Sequence, residues 1–143
     1  MIDSGAGPSG TMVEKSLRGK TFQPSAASLA VAEWESTGNE TMWISPVHIH
    51  LEDDETWYVL VGRLEFLLNG ERVVVDAGGC VTVTRGVAHA FRNPGPDPVR
   101  YLLVMPDRVR RLVAAIHAEP RDLESMKRLF QDHASELLGW PGD

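Results

Sequence analysis

The sequence predicts a mainly-β domain, a small barrel or sandwich, followed by a two-helix tail. Three observations carry that expectation. Short β-branched and aromatic runs recur between turn signals from Ser28 to Val104. Asn69-Gly70 stands between two apolar runs and is the best hairpin signal in the chain. Beyond Pro106 the apolar spacing changes from alternation to a helical period.

Residues 1–24 are rich in Gly, Ser and Pro at their start and carry no hydrophobic period, so a loosely draped N-terminal segment is expected. The β-barrel is expected over 25–106. Ser28 to Ser36 reads as a strand, Gly38-Asn39 as a turn, and Thr41 to His50 as an extended run. Glu52, Asp53 and Asp54 form a polar turn. Thr56 to Val61 is the strongest strand, and Gly62 breaks it. Leu64–Leu68 and Arg72–Val75 flank the Asn-Gly turn. Val81–Thr84, Ala88–Arg92 and Arg100–Val104 complete the strands, with Asn93 to Pro98 as loop and Asn93 as a turn residue.

The helical extension is expected over 107–143. Val109, Leu112, Val113 and Ile116 fall at helical spacing, and Pro120 stops that helix. Asp122 can cap a second helix that places Leu123, Met126, Phe130 and Leu137 on one face, with Gly139 ending it.

A chain of 143 residues with 43% hydrophobic content suits one domain with a real core. Net charge −6 disfavours nucleic acid as a partner. Arg108, Arg110 and Arg111 are close in sequence but read as a solvated helix face. The lone cysteine, Cys80, reads as a buried small residue in a strand rather than a reactive thiol. Without a disulfide, a secretory signal or an apolar run near the roughly 20 residues a membrane span needs, a cytoplasmic protein with no membrane partner is expected.

The chemistry lies in two histidine-bearing segments. PVHIHLEDDETWYVLVG holds His48, His50 and Glu55, and GGCVTVTRGVAHAFRN holds His89. Three imidazoles and a carboxylate can hold a first-row transition metal and leave positions open. His48 and His50 are two apart in an extended run, so both can face one cavity. Glu55 needs the turn at 52–54 to reset the register. Glu52, two residues past His50, is the competing carboxylate. A pair of strand histidines beside acids also arises on solvated strands, so spacing alone leaves function open.

The two segments resemble the cupin motifs, in outline G-x5-H-x-H-x3,4-E-x6-G and G-x5-P-x-G-x2-H-x3-N. His48, His50, Glu55 and Gly62 fit the first, with Met42 where its opening glycine stands. Gly78, Gly86, His89 and Asn93 fit the second, with Thr84 replacing proline. Both departures touch turn positions, not ligand positions. The resemblance implies a double-stranded β-helix barrel of jelly-roll type, with one divalent transition metal (Fe, Mn, Ni, Zn, Cu or Co) on His48, His50, Glu55 and His89. It also implies association through sheet edges, hence a homodimer.

Strand alternation then sends Trp57, Val59 and Val61 inward with Glu55, Phe91 with His89, and Ile44 and Pro46 with the first two histidines. Such a wall suits a small hydrophobic or aromatic ligand, although periodicity does not separate pocket wall from core. His117 and His133 read as structural or exposed. Trp34, Trp43 and Trp140 are expected to pack on the barrel, the tail or a second subunit. The segments look most like single-domain cupins related to quercetin dioxygenase, which implies a metal-dependent oxygenase with Glu55 as ligand and base. A metal-assisted isomerase or polyketide-type cyclase, and a non-enzymatic ligand-binding barrel, are the alternatives.

Overall fold

The computed structural model describes residues 12–39 and 42–142. The elements run β1 (Thr21–Phe22), β2 (Leu29–Ser36), β3 (Val47–His50), β4 (Glu55–Val61), β5 (Arg63–Leu68) and β6 (Glu71–Asp76). They continue with β7 (Cys80–Val83), β8 (His89–Arg92), β9 (Val99–Pro106), α1 (Asp107–Ala118), α2 (Leu123–Gln131) and β10 (Ser135–Gly139). Two five-stranded antiparallel sheets result, ordered β1-β2-β9-β4-β7 and β10-β3-β8-β5-β6. This is the jelly-roll arrangement expected, with both predicted helices present.

The sheets bury their inward rows against each other. Ala30, Ala32, Trp57, Leu64, Phe66, Phe91, Tyr101 and Leu103 form the main core. Trp57 meets Phe66 and Phe91 edge-on, each with ring centroids 5.3 Å apart, and Tyr101 meets Phe91 at 5.7 Å. Edge-to-face contacts match the positive ring edge to a negative face and add to the apolar burial. Asn69, at φ 48°, and Gly70, at φ 87°, make the hairpin between β5 and β6, as the primed turn requires. Gly62 is needed for another reason: a Cβ there would run into the Pro98 carbonyl.

The tail departs from expectation at one informative place. α2 is capped by Asp122, whose carboxylate accepts from the Ser125 N–H at 2.8 Å, but it ends at Gln131. Ala134 then adopts φ 52°, and Ser135–Gly139 becomes a strand instead of more helix. β10 pairs with β3, setting Ser135 opposite His50 and Leu137 opposite His48. Leu137 is therefore apolar for a sheet's reason. Its spacing from Phe130 fits a helix only by coincidence.

Other expectations need correction. β3 begins at Val47; Met42 to Pro46 form no strand, and Thr41 lies outside the described residues, as do residues 1–11. Thr21–Phe22, within the stretch expected to be loose, pairs with β2. Val61 points outward and is 47% exposed, because the β4–β9 register slips between Val59 and Val61 and reverses the alternation. Cys80 is exposed, since it sits on the outer face of β7. Trp140 is 66% exposed within the single chain, whereas Trp34 packs partly on the core and Trp43 lies under the Arg72 and Arg92 guanidinium groups.

The three neighbouring arginines form no free basic patch. Arg108 pairs with Asp53 and Glu52, and Arg110 and Arg111 both pair with Asp107. No helix among the described residues is long and apolar enough to cross a membrane.

Candidate metal centre

The two sheets bring four distant side chains together. His48 and His50 alternate inward along β3, and His89 stands directly across from His48 on β8. Glu55 arrives from the opposite sheet, at the start of β4. The turn before it is fixed by ion pairs. Arg108 on α1 meets Asp53 at 3.0 Å and Glu52 at 3.5 Å, while Arg85 holds Asp54 at 3.1 Å. Gly86 donates its N–H to the His50 carbonyl at 2.8 Å, tying the two histidine segments together. Glu52 is thus spent on Arg108, and Glu55 is the carboxylate that faces the histidines.

All four residues are buried, and one ligand atom from each lies within 4.8 Å of the others. His50 Nε2 is 3.0 Å and His89 Nε2 is 2.8 Å from the same oxygen, Glu55 Oε1. The opposite ring nitrogens show what those contacts mean. His48 Nδ1 donates to the Pro46 carbonyl at 2.8 Å, and His89 Nδ1 donates to the Val87 carbonyl at 2.9 Å. His50 Nδ1 donates to Ser135 Oγ at 2.7 Å, and Ser135 passes its own proton to the His133 carbonyl at 3.0 Å. Acceptors on the outer side place each proton on Nδ1 and leave each neutral Nε2 a lone pair aimed inward.

Two such lone pairs then face a carboxylate oxygen at hydrogen-bond distance. Acceptors do not attract each other, so a cation must mediate, either a proton or a metal ion. Outer hydrogen bonds of this kind on every imidazole are the arrangement that orients metal-ligating histidines. The donor set therefore fits a divalent transition metal.

Electrostatics agree. Burial lowers the His48 pKa to about 3, so its lone pair is free at neutral pH. Burial alone would raise the Glu55 pKa. In the metal-free protein, protons held at Nε2 of His50 and His89 would supply the hydrogen bonds and charge that outweigh it and hold the carboxyl below its ordinary range.

A cavity of about 130 Å³ opens beside the cluster, lined by His48, His50 and Glu55. Ile44, Pro46, Trp57 and Phe91 line it, as the strand alternation implied. Val59 does not. It lies two residues beyond Trp57 along β4, roughly 7 Å further from Glu55, and is absorbed in the core. Sequence reasoning missed the helical side of the wall: Val109, Leu112, Val113 and Ile116 of α1, and Phe130 of α2. Phe130 meets His48 edge-on, ring centroids 5.5 Å apart. The apolar periodicity of both helices was the available signal, but it did not say what the helices cover. Ser135 gave no signal at all.

His117, expected away from the site, borders the chamber from α1, edge-on to Trp34 at 6.5 Å, but it is exposed and does not join the four-residue cluster; nor does His133, whose Nδ1 donates to the Leu129 carbonyl at 2.8 Å. Asn93 organises its loop from within: nearly fully buried, it accepts from the Gly95 N–H and donates to the Asp97 and Ser36 carbonyls.

The fold and the cluster together define a cupin-type jelly roll with a candidate metal centre. A family model, the cupin domain, matches residues 40–105, and several solved structures share the fold. A cupin protein from Bacteroides fragilis is 15% identical, with TM-score 0.52, over 70% of this chain and 77% of that one. A putative sugar phosphate isomerase from Acidithiobacillus ferrooxidans is 17% identical, with TM-score 0.51, over 57% of this chain and 52% of that one. A sugar phosphate isomerase of the cupin superfamily from Silicibacter pomeroyi is 23% identical, with TM-score 0.50, over 56% of this chain and 51% of that one. The matched region thus spans about half of each isomerase chain. At these identities the likeness concerns the fold. A search of the curated proteins found no match.

Proposed function

We propose that this chain is a metal-dependent oxygenase acting on a small aromatic or enol substrate. The observation that carries the reading is the convergence of three inward Nε2 lone pairs and one ionised carboxylate on an apolar chamber. His48, His50, His89 and Glu55 would hold the ion. A bound divalent metal supplies Lewis acidity there and, if redox-active, a partner for oxygen.

The protein residues contribute the rest. Trp57, Phe91 and Phe130 exclude water and offer ring faces and edges to an apolar substrate. Glu55 is the one carboxylate lining the chamber among the described residues. Held below its ordinary pKa, it is a weak base. It suits a proton already made acidic, as on an enol or catechol oxygen, rather than one on unactivated carbon.

The test is oxygen uptake by protein loaded in turn with iron, nickel, manganese and cobalt, with catechols, enols and flavonols as substrates. Uptake with at least one metal, lost in Glu55→Gln, is expected. Product formed equally under strict anaerobiosis would favour a metal-assisted isomerase or cyclase. Metal binding without turnover across the panel would favour a ligand-binding barrel. A homodimer belongs to the same proposal, and β1, β7, β6 and β10 end the two sheets where a second copy could pair.

A further inference from the structure

Between α1, α2 and β10 lies a second cavity of about 350 Å³, apolar over most of its wall. It meets the metal chamber at Ile44, Pro46, Ile116 and Phe130, which line both. The chamber alone, at about 130 Å³, is no larger than cavities known to hold one benzene ring. At the rim of the outer cavity Ile44, Leu123 and Trp140 are 41%, 59% and 66% exposed. Large apolar side chains clustered around a concave apolar surface mark a binding site. Its charged lining is Arg121 and Asp122, and Arg121 is already paired with Glu119 at 3.4 Å.

We propose that this outer cavity is the subsite for the body of the ligand. The ligand class is a metal-chelating head, two adjacent oxygen donors, carried on an uncharged apolar body larger than one ring. The head enters the chamber, and the body passes Ile116 and Phe130 into the space between the helices. This rests on the metal reading given above and narrows it.

The experiment titrates zinc-loaded protein with acetohydroxamate, benzohydroxamate and biphenyl hydroxamate, which share a head and differ in body. Zinc content is measured before and after. The biphenyl compound should bind at least about tenfold more tightly than acetohydroxamate, the gain coming from apolar burial. Leu123→Glu should remove most of that gain and leave acetohydroxamate affinity and zinc content unchanged. Leu123 is exposed in the first turn of α2, where a carboxylate is tolerated, so folding is spared. Met126→Trp, which fills the cavity, should act in the same direction. Equal affinities for the three probes, or a Leu123→Glu effect equal on all of them, would overturn the subsite while zinc stays bound. Absence of zinc uptake would instead overturn the metal reading, and this proposal with it.

Discussion

Ser135 Oγ accepts the Nδ1–H of His50 at 2.7 Å across 85 positions of sequence. The contact exists because β10 pairs with β3 and sets the two residues opposite each other. The C-terminal strand thereby orients a ligand that belongs to the first histidine segment.

Ser135→Ala should keep the fold and weaken metal binding by about 10–100-fold, the usual effect of removing an outer hydrogen bond from a ligating histidine. Metal competition with a chromogenic chelator measures it. A neighbouring control, Glu136→Ala on the exposed side of β10, should leave affinity unchanged.

Metal removal should lower thermal stability. Binding to the folded state alone adds about 2.7 kcal/mol at one hundred times Kd. Chelator-treated protein should melt earlier than protein reloaded with zinc, and His50→Ala should erase the difference. Equal melting temperatures for loaded and stripped wild type would count against the site.

Metal-free protein should lose stability on acidification from about pH 6.5 downward. The folded-state pKa of His48 is depressed to about 3, so between these values the unfolded chain binds a proton that the folded chain refuses. Stability is therefore complete above the unfolded value and falls as pH falls, by at most about 1.4 kcal/mol per pH unit from this group. Glu55, also depressed, adds loss of the same sign below the ordinary carboxylate range. Urea midpoints at pH 7 and pH 5 test this, and His48→Gln should flatten the difference.

Arg108→Ala should destabilise by about 1–2 kcal/mol, because it leaves the buried Asp53 carboxylate without its ion-pair partner. The larger consequence should be a looser turn before Glu55 and weaker metal binding. Asp53→Asn in the Arg108→Ala background should recover stability, since the unpaired charge is gone.

Phe130→Ala should cost about 3–5 kcal/mol as a buried aromatic truncation. It should also widen the passage between the chamber and the outer cavity, so a Phe130→Leu variant, closer in volume, is the one to compare for ligand size preference.

Local periodicity carried much of the fold. The β4 run, the Asn69-Gly70 hairpin and the α1 stripe each followed from spacing that depends only on near neighbours. The shared strand face of His48 and His50 followed from spacing, whereas Glu55 and His89 entered the candidate set through the resemblance to the cupin motifs. Val61 was misread because a register slip depends on β9, which its own run does not contain.

What the amino-acid order alone determined was the type of most elements and the side chains able to ligate. The tertiary structure decided their company: which carboxylate is spent on Arg108, that Ser135 reaches His50, and that Phe130 packs edge-on against His48. Alternation along a strand is a short-range property. The pairing of β10 with β3, and of each acid with its arginine, is settled only when distant segments compete for the same buried surface and hydrogen bonds.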